Sequence, residues 1–224
     1  MGLDLRPMGK AKPGFEKRYE QIFKIITGAE KEEVSFFDKL KGKKPATKEE
    51  LLQEWFANQI PSYETIKAPR VGRDEEANNW IKERYQETDK SLSENDFVKQ
   101  HDGYYVISLA KEEDGVPAYR SFGQDENVFR GEFIRDCVDL IGEDLVSEAW
   151  GTKLAKEALD YGNRLMNIAD KIAAESGLEY LKLQRNPPEK SDEGDLENKL
   201  HVVSSMAKWL IFYGKNGHGY EADY

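Results

Sequence analysis

Apolar side chains recur along much of this chain at the spacing of a helix. Phe15, Tyr19, Ile22, Phe23 and Ile26 form one stripe, and Gly28 stands where such a helix would end. Thr47-Lys-Glu-Glu50 reads as a capping box. The threonine hydroxyl can accept from the third amide while Glu50 reaches back. The helix it opens carries Leu51, Leu52, Trp55 and Phe56 and must stop before Pro61. Asp74 is placed to cap a helix with Ala77, Trp80, Ile81 and Tyr85 inward, and Ser93–Asp96 to start a shorter one with Phe97 and Val98. Phe133, Ile134, Cys137, Val138 and Ile141 form a stripe closed by Gly142. The longest pattern spans 152–176 and ends at Gly177, and a last helix is expected over Asp195–Tyr213.

One segment has the opposite character. Tyr104-Tyr-Val-Ile-Ser-Leu109 is aromatic and β-branched and follows Asp102-Gly103, so it predicts a strand. Val116–Phe122 is expected to return as an edge strand, since Pro117 lacks a donor. The fold class expected is α+β, mainly α: a helical bundle-like core with one small antiparallel hairpin or sheet around residues 103–122. Residues 1–14, rich in Gly, Pro and Lys, read as an extended basic arm. Residues 15–224 read as a single mainly helical domain with a possible subdivision near 102. The loop 186–195 is the expected place for mobility, and the glycine-rich Gly214–Gly219 is expected to be a flexible terminus.

Composition narrows the class. One cysteine in 224 residues cannot form an internal disulfide, and no apolar run approaches the roughly 20 residues of a membrane span. With 25 aromatic residues the chain can build a core. The first residues show no apolar stretch of a secretory leader, so a cytoplasmic location is expected. The net charge of −10 is uneven. Residues 1–48 hold 12 basic and 7 acidic side chains, whereas 49–224 hold 21 and 36. The basic clusters are Lys10, Lys12, Lys17 and Arg18, then Lys41, Lys43 and Lys44, and they are the expected partner-binding residues. Nucleic acid is disfavoured as that partner by the charge of the remainder.

Catalytic motifs are scarce. His101, His201 and His218 show no ligand spacing, so no metal or other cofactor is expected. Cys137 falls on an apolar stripe, where cysteines are usually inert. The sequence contains no Gly-x-Ser-x-Gly elbow and no phosphate loop opening a helix. The best ligand-binding candidates lie on the irregular stretch 60–73: Tyr63, Glu64, Arg70 and Arg73, whose arginine forks suit an anion. Arg120 and Arg130, on the segment 119–132, form a second candidate set. The reading drawn is a protein that binds another macromolecule, as an inhibitor, an immunity or anti-defence factor, or a regulatory partner. The alternative is an enzyme or small-ligand binder for an anionic compound, nucleotide-like or a phosphoester, held by Arg70 and Arg73. Whether the chain catalyses anything is left open by the residues.

Overall fold

The computed structural model describes residues 2–32, 44–110, 127–184, 186–188 and 195–224. In chain order its elements are β1 (Asp4–Pro7), β2 (Lys10–Ala11), α1 (Glu16–Ile26), α2 (Lys48–Ala57), β3 (Gln59–Ile60), α3 (Ser62–Ile66), α4 (Glu75–Gln86) and α5 (Glu94–Gln100). Then come β4 (Phe129–Arg130), α6 (Val138–Ile141), α7 (Glu143–Glu148), α8 (Ala155–Ser176), α9 (Leu196–Lys215) and β5 (Tyr220–Asp223). Stretches of 3-10 helix cover Ile107–Leu109, Gly131–Cys137 and Glu179–Leu183. The fold is α+β and mainly α. Among the described residues no helix is long and apolar enough to cross a membrane. The chain forms two compact units: Gly9–Pro61, and Met1–Met8 together with Ser62–Tyr224.

The larger unit is built around α9. Its side chains are apolar on nearly every face, and a helix of that kind has to be covered on every face. Leu200, Val203, Met206, Ala207, Trp209, Leu210 and Tyr213 are all fully buried. The longest neighbour is α8, which approaches closely because two glycines remove side chains at the crossing. A Cβ on Gly162 would fall 2.8 Å from Leu210 Cβ, and one on Gly214 would fall 2.8 Å from the Leu159 amide nitrogen. The 3-10 segments 131–137 and 179–183 also pack on α9. Trp209 Nε1 donates to the Asn127 carbonyl at 2.9 Å, and its ring lies 6.4 Å from Phe129 and 6.3 Å from Tyr220.

Those last two aromatics belong to the sheet. Its order is β4-β1-β5, antiparallel throughout, with Leu5 opposite Phe129 and Pro7 opposite Tyr220. The opening segment expected as an arm therefore supplies the central strand. Leu3 and Leu5 point into the core while Asp4 and Arg6 alternate away from it. The glycine-rich end is not a loose terminus. His218 is fully buried, its Nδ1–H donates to the Met8 carbonyl at 2.9 Å, and the Thr65 hydroxyl meets Nε2 at 2.7 Å. Gly219 lies so close to the Lys153 carbonyl and Met8 that no Cβ fits.

The sheet expected around 103–122 takes another form where the chain is described. Arg70 and Tyr105 make a single antiparallel bridge, and Ile107–Leu109 turns into 3-10 helix. The reason lies in the donors. Val106 N–H donates to the Pro69 carbonyl, but proline has no N–H to return. At the other end Val71 N–H donates to Tyr104, whose own amide turns back to His101. The ladder stops on both sides. The returning strand expected over 116–122 lies outside the described residues, as does most of the loop 186–195.

In the smaller unit, β2 pairs with β3 and α1 packs on α2. The capping box forms as its sequence implies: Glu50 N–H donates to Thr47 Oγ1 at 3.2 Å, and Thr47 N–H donates to Glu50 at 2.7 Å. Trp55 stacks on Tyr19 at 4.8 Å, and the Tyr19 hydroxyl donates to the Gly9 carbonyl at 2.6 Å. Glu16–Ile26 follows the predicted stripe, with Gly28 left-handed (φ +81°) just beyond it.

Replacing Gly214 by alanine tests the helix crossing. Ala is favoured over Gly in a free helix by about 1 kcal/mol. Here the new methyl meets backbone atoms of α8 that cannot swing aside, which costs about 1–3 kcal/mol. The clash should win. Gly214→Ala is expected to lower the urea unfolding midpoint, and a raised midpoint would show that the crossing is looser than drawn.

Candidate functional site

The predicted ligand residues separate once the chain is folded. Tyr63 and Glu64 sit on α3, a short helix where an irregular loop was expected. Tyr63 stacks on Tyr105 at 4.7 Å, above a small core of Ile66, Ala68, Ile107 and Ala110, while Glu64 is exposed. Arg70 is half-buried. Its Nε donates to the Gly103 carbonyl at 2.6 Å, and its guanidinium lies 4.8 Å over the Tyr105 ring. It thus ties the loop after α3 to the turn after α5. A Cβ at Gly103 would sit 3.1 Å from the Arg70 fork, and with φ at +86° that turn favours glycine twice over. Arg73 and Asp74 are exposed. Asp74 occupies the cap position of α4 but turns its carboxylate back to accept from the Arg70 amide at 2.7 Å. Arg130 lies in β4, 3.4 Å from Asp4, and Arg120 is outside the described residues.

Beside this loop is an open cleft of about 430 Å³, lined by Lys67, Ala68, Pro69, Asp74, Glu75 and Glu76. Its three carboxylates outnumber its one cation, so it is acidic where the sequence suggested an anion site. Among the described residues no group of three or more His, Cys, Asp or Glu is placed to hold a metal ion.

The basic residues expected to meet a partner are partly committed within their own unit. Arg18 grips Glu54 with two hydrogen bonds, 3.0 and 2.9 Å, and reaches Glu32 at 3.2 Å and Gln21 at 3.0 Å. Lys12 donates to the Ala57 carbonyl at 2.7 Å, closing the C-terminal end of α2. Lys10 lies in β2, and Lys17 and Lys44 are exposed. Lys41 and Lys43 are outside the described residues.

The titratable groups with chemical reach are turned inward. Cys137 is fully buried, its thiol weakly donating to the Phe133 and Lys199 carbonyls at 3.6 Å, and burial pushes it up to about 12. That leaves almost no thiolate at neutral pH. Tyr161 and Tyr220 are raised by burial, and the Tyr161 hydroxyl donates to the Leu145 carbonyl at 2.6 Å. Burial alone would raise Glu148, but hydrogen bonds from Arg164 and Lys153 outweigh it and hold the carboxylate below its usual range. His201 is fully buried, donates through Nε2 to the Gln184 carbonyl at 3.3 Å, and is lowered by desolvation.

What faces outward is apolar and concentrated. Phe133, Val138, Tyr180, Leu183 and Leu196 are exposed, with Leu183 at 87% the most exposed large apolar side chain described. They come from 131–137, α6, 179–183 and α9. All flank the first turns of α9: Tyr180 bonds to Glu197, Asp139 pairs with Lys199 at 3.0 Å, and Gln184 meets His201. The sequence pattern assigned Phe133 and Val138 to an inward stripe, because it assumed one continuous α-helix. The 3-10 path of Gly131–Cys137 rotates them outward. Leu183 and Tyr180 carried no local signal. No family model, no curated protein and no solved structure matches the chain.

Two outcomes follow from these positions. Arg70→Ala removes a charged donor from a half-buried carbonyl and is expected to destabilise the protein by about 1–2 kcal/mol in urea unfolding. An unchanged midpoint would mean the contact contributes nothing. His201 is lowered in the folded state, so below about pH 6.5 the unfolded chain takes up a proton that the native ring resists. Stability is thus full above that pH and falls beneath it, by at most about 1.4 kcal/mol per pH unit. Urea midpoints at pH 7.5 and pH 5.5, compared with those of His201→Gln, should show this slope shrinking in the variant.

Proposed function

We propose that this protein acts by binding another macromolecule, a protein with a basic surface, and that the acidic unit carries the contact. The observation that supports this is how charge divides between the units. Gly9–Pro61 holds 11 basic and 9 acidic residues, and the remainder holds 22 and 34. In the smaller unit Arg18 and Lys12 are engaged at home, so the surplus carboxylates of the larger unit are the main field a partner meets. An inhibitor, an immunity or anti-defence factor and a regulatory subunit would all work this way. The groups that might catalyse a reaction serve the core instead: Cys137, His201, His218 and Tyr161 all bond to backbone carbonyls. An anion held by Arg70 and Arg73 would have to displace the Gly103 contact and sit beside a cleft of carboxylates.

Gentle capture of the tagged chain from lysate of its own source, weighed by native mass spectrometry at low and high salt, tests the reading. A stoichiometric protein adduct that dissociates as salt rises is the expected result. A retained mass of a few hundred daltons, or a chain that stays bare at low salt, would overturn it.

A further inference from the structure

We propose that the surface around the N-terminal turns of α9 is a docking face for a basic amphipathic helix of the partner; this rests on the macromolecule-binding reading above and names where it acts. Five large apolar side chains reach solvent there, from four elements that meet at one helix end. Soluble proteins seldom leave such groups clustered unless something covers them. The chain itself offers little to do so: residues 189–194, which lead into α9, read Glu-Lys-Ser-Asp-Glu-Gly and bring no apolar side chain.

The charge around the face selects the occupant. Within residues 131–141, 179–183 and 195–199 the acids are Glu132, Asp136, Asp139, Glu179, Asp195 and Glu197. The cations are Arg135, Lys182 and Lys199, and each is already engaged. Lys199 is paired with Asp139 at 3.0 Å, Lys182 with Asp170 at 2.9 Å, and Arg135 stacks 5.0 Å over Trp150. Asp136 and Glu179 are exposed. An incoming surface therefore meets apolar groups inside a rim of net negative charge. An anionic membrane or a nucleic acid would be repelled. A second copy docking by the same face would set carboxylate against carboxylate. A helix with leucine-like residues on one side and lysine or arginine flanking them satisfies both requirements, the helix-in-groove mode of recognition.

The probe is a labelled amphipathic peptide of Leu and Lys, added to the full-length protein and followed by fluorescence anisotropy. Its controls are a peptide with Glu in place of every Lys and one of scrambled order. Leu183→Ser with Leu196→Ser, both at exposed positions, should weaken Leu/Lys peptide binding about tenfold or more. Glu75→Gln with Glu76→Gln removes acid elsewhere and should leave it within about twofold. Should the serine variant lose its urea midpoint, Asp136→Lys with Glu179→Lys asks the same question through charge. The proposal is overturned by full binding to the serine variant, by equal loss in the Glu75/Glu76 control, or by equal binding of the scrambled or Glu peptide. It is also overturned by a dimer mass that the serine variant abolishes. A partner captured by the wild-type chain and retained by the serine variant removes this face but leaves the binding reading intact; failure of the wild-type capture removes the binding reading itself.

Discussion

The larger unit is governed by one requirement: α9 must be covered on almost all sides. From Leu200 to Gly214 nearly every position is buried, including His201, Ser204 and Ser205. Burying polar groups in that setting is costly unless they find partners. The Gln184 carbonyl beside His201 and the Asn127 carbonyl beside Trp209 meet that need. Meeting it fixes where the 3-10 segment after α8 and the entry to β4 must lie. The same requirement explains the two glycines at the α8 crossing, since a side chain at either would hold the helices apart and open a void along the core. It also explains why α9 can leave its first turn uncovered. Once enough apolar area is buried along the helix, the end can be spared for solvent or for a partner.

A second constraint ties the chain ends together. β1 lies between β4 and β5, so residues 4 and 223 pair across the whole length of the sequence. His218 adds a fully buried link from the C-terminal turn to Met8 and Thr65, the residues flanking the points where the chain leaves for, and returns from, the smaller unit. Loop-closure entropy opposes such long-range pairing. The compensating contacts are those the glycine-rich end provides. Gly217 supplies a left-handed turn (φ +86°), and Gly219 lets the backbone approach Lys153 closely enough for the Tyr220–Lys153 bridge.

These two constraints divide what could be read from the sequence from what could not. α1, α2, α4, α8 and α9 were legible because each carries a long period and most have a local start or stop: the Thr47 box, Gly28, Gly177. Asp74 marked its helix correctly but by position alone, since its carboxylate serves Arg70. β1 was not legible: two leucines alternating over four residues are too short a period, and its partners lie more than 120 positions away. Tyr104–Leu109 had the composition of a strand, but composition does not say whether a partner can return a hydrogen bond, and Pro69 cannot.

The candidate sites were harder still, because charge and exposure are properties of the folded surface. Arg70 and Arg18 were chosen for their chemistry, and that same chemistry made them useful inside the fold, where the Gly103 carbonyl and Glu54 took them. A guanidinium gripped in this way has few donors left for a ligand. Leu183 is the converse. In sequence it is an ordinary apolar residue beside a buried neighbour, Leu181, and only the 3-10 path of Glu179–Leu183 sends the two to opposite fates, 1% and 87% exposed. An i, i+2 pair on a three-residue turn is rotated by about 240°, so burying one presents the other. The exposed face around α9 thus follows from the short helical turns that cover its core. The covering elements turn too tightly to bury all of their own apolar residues, and the surplus faces outward at the one end of α9 left open.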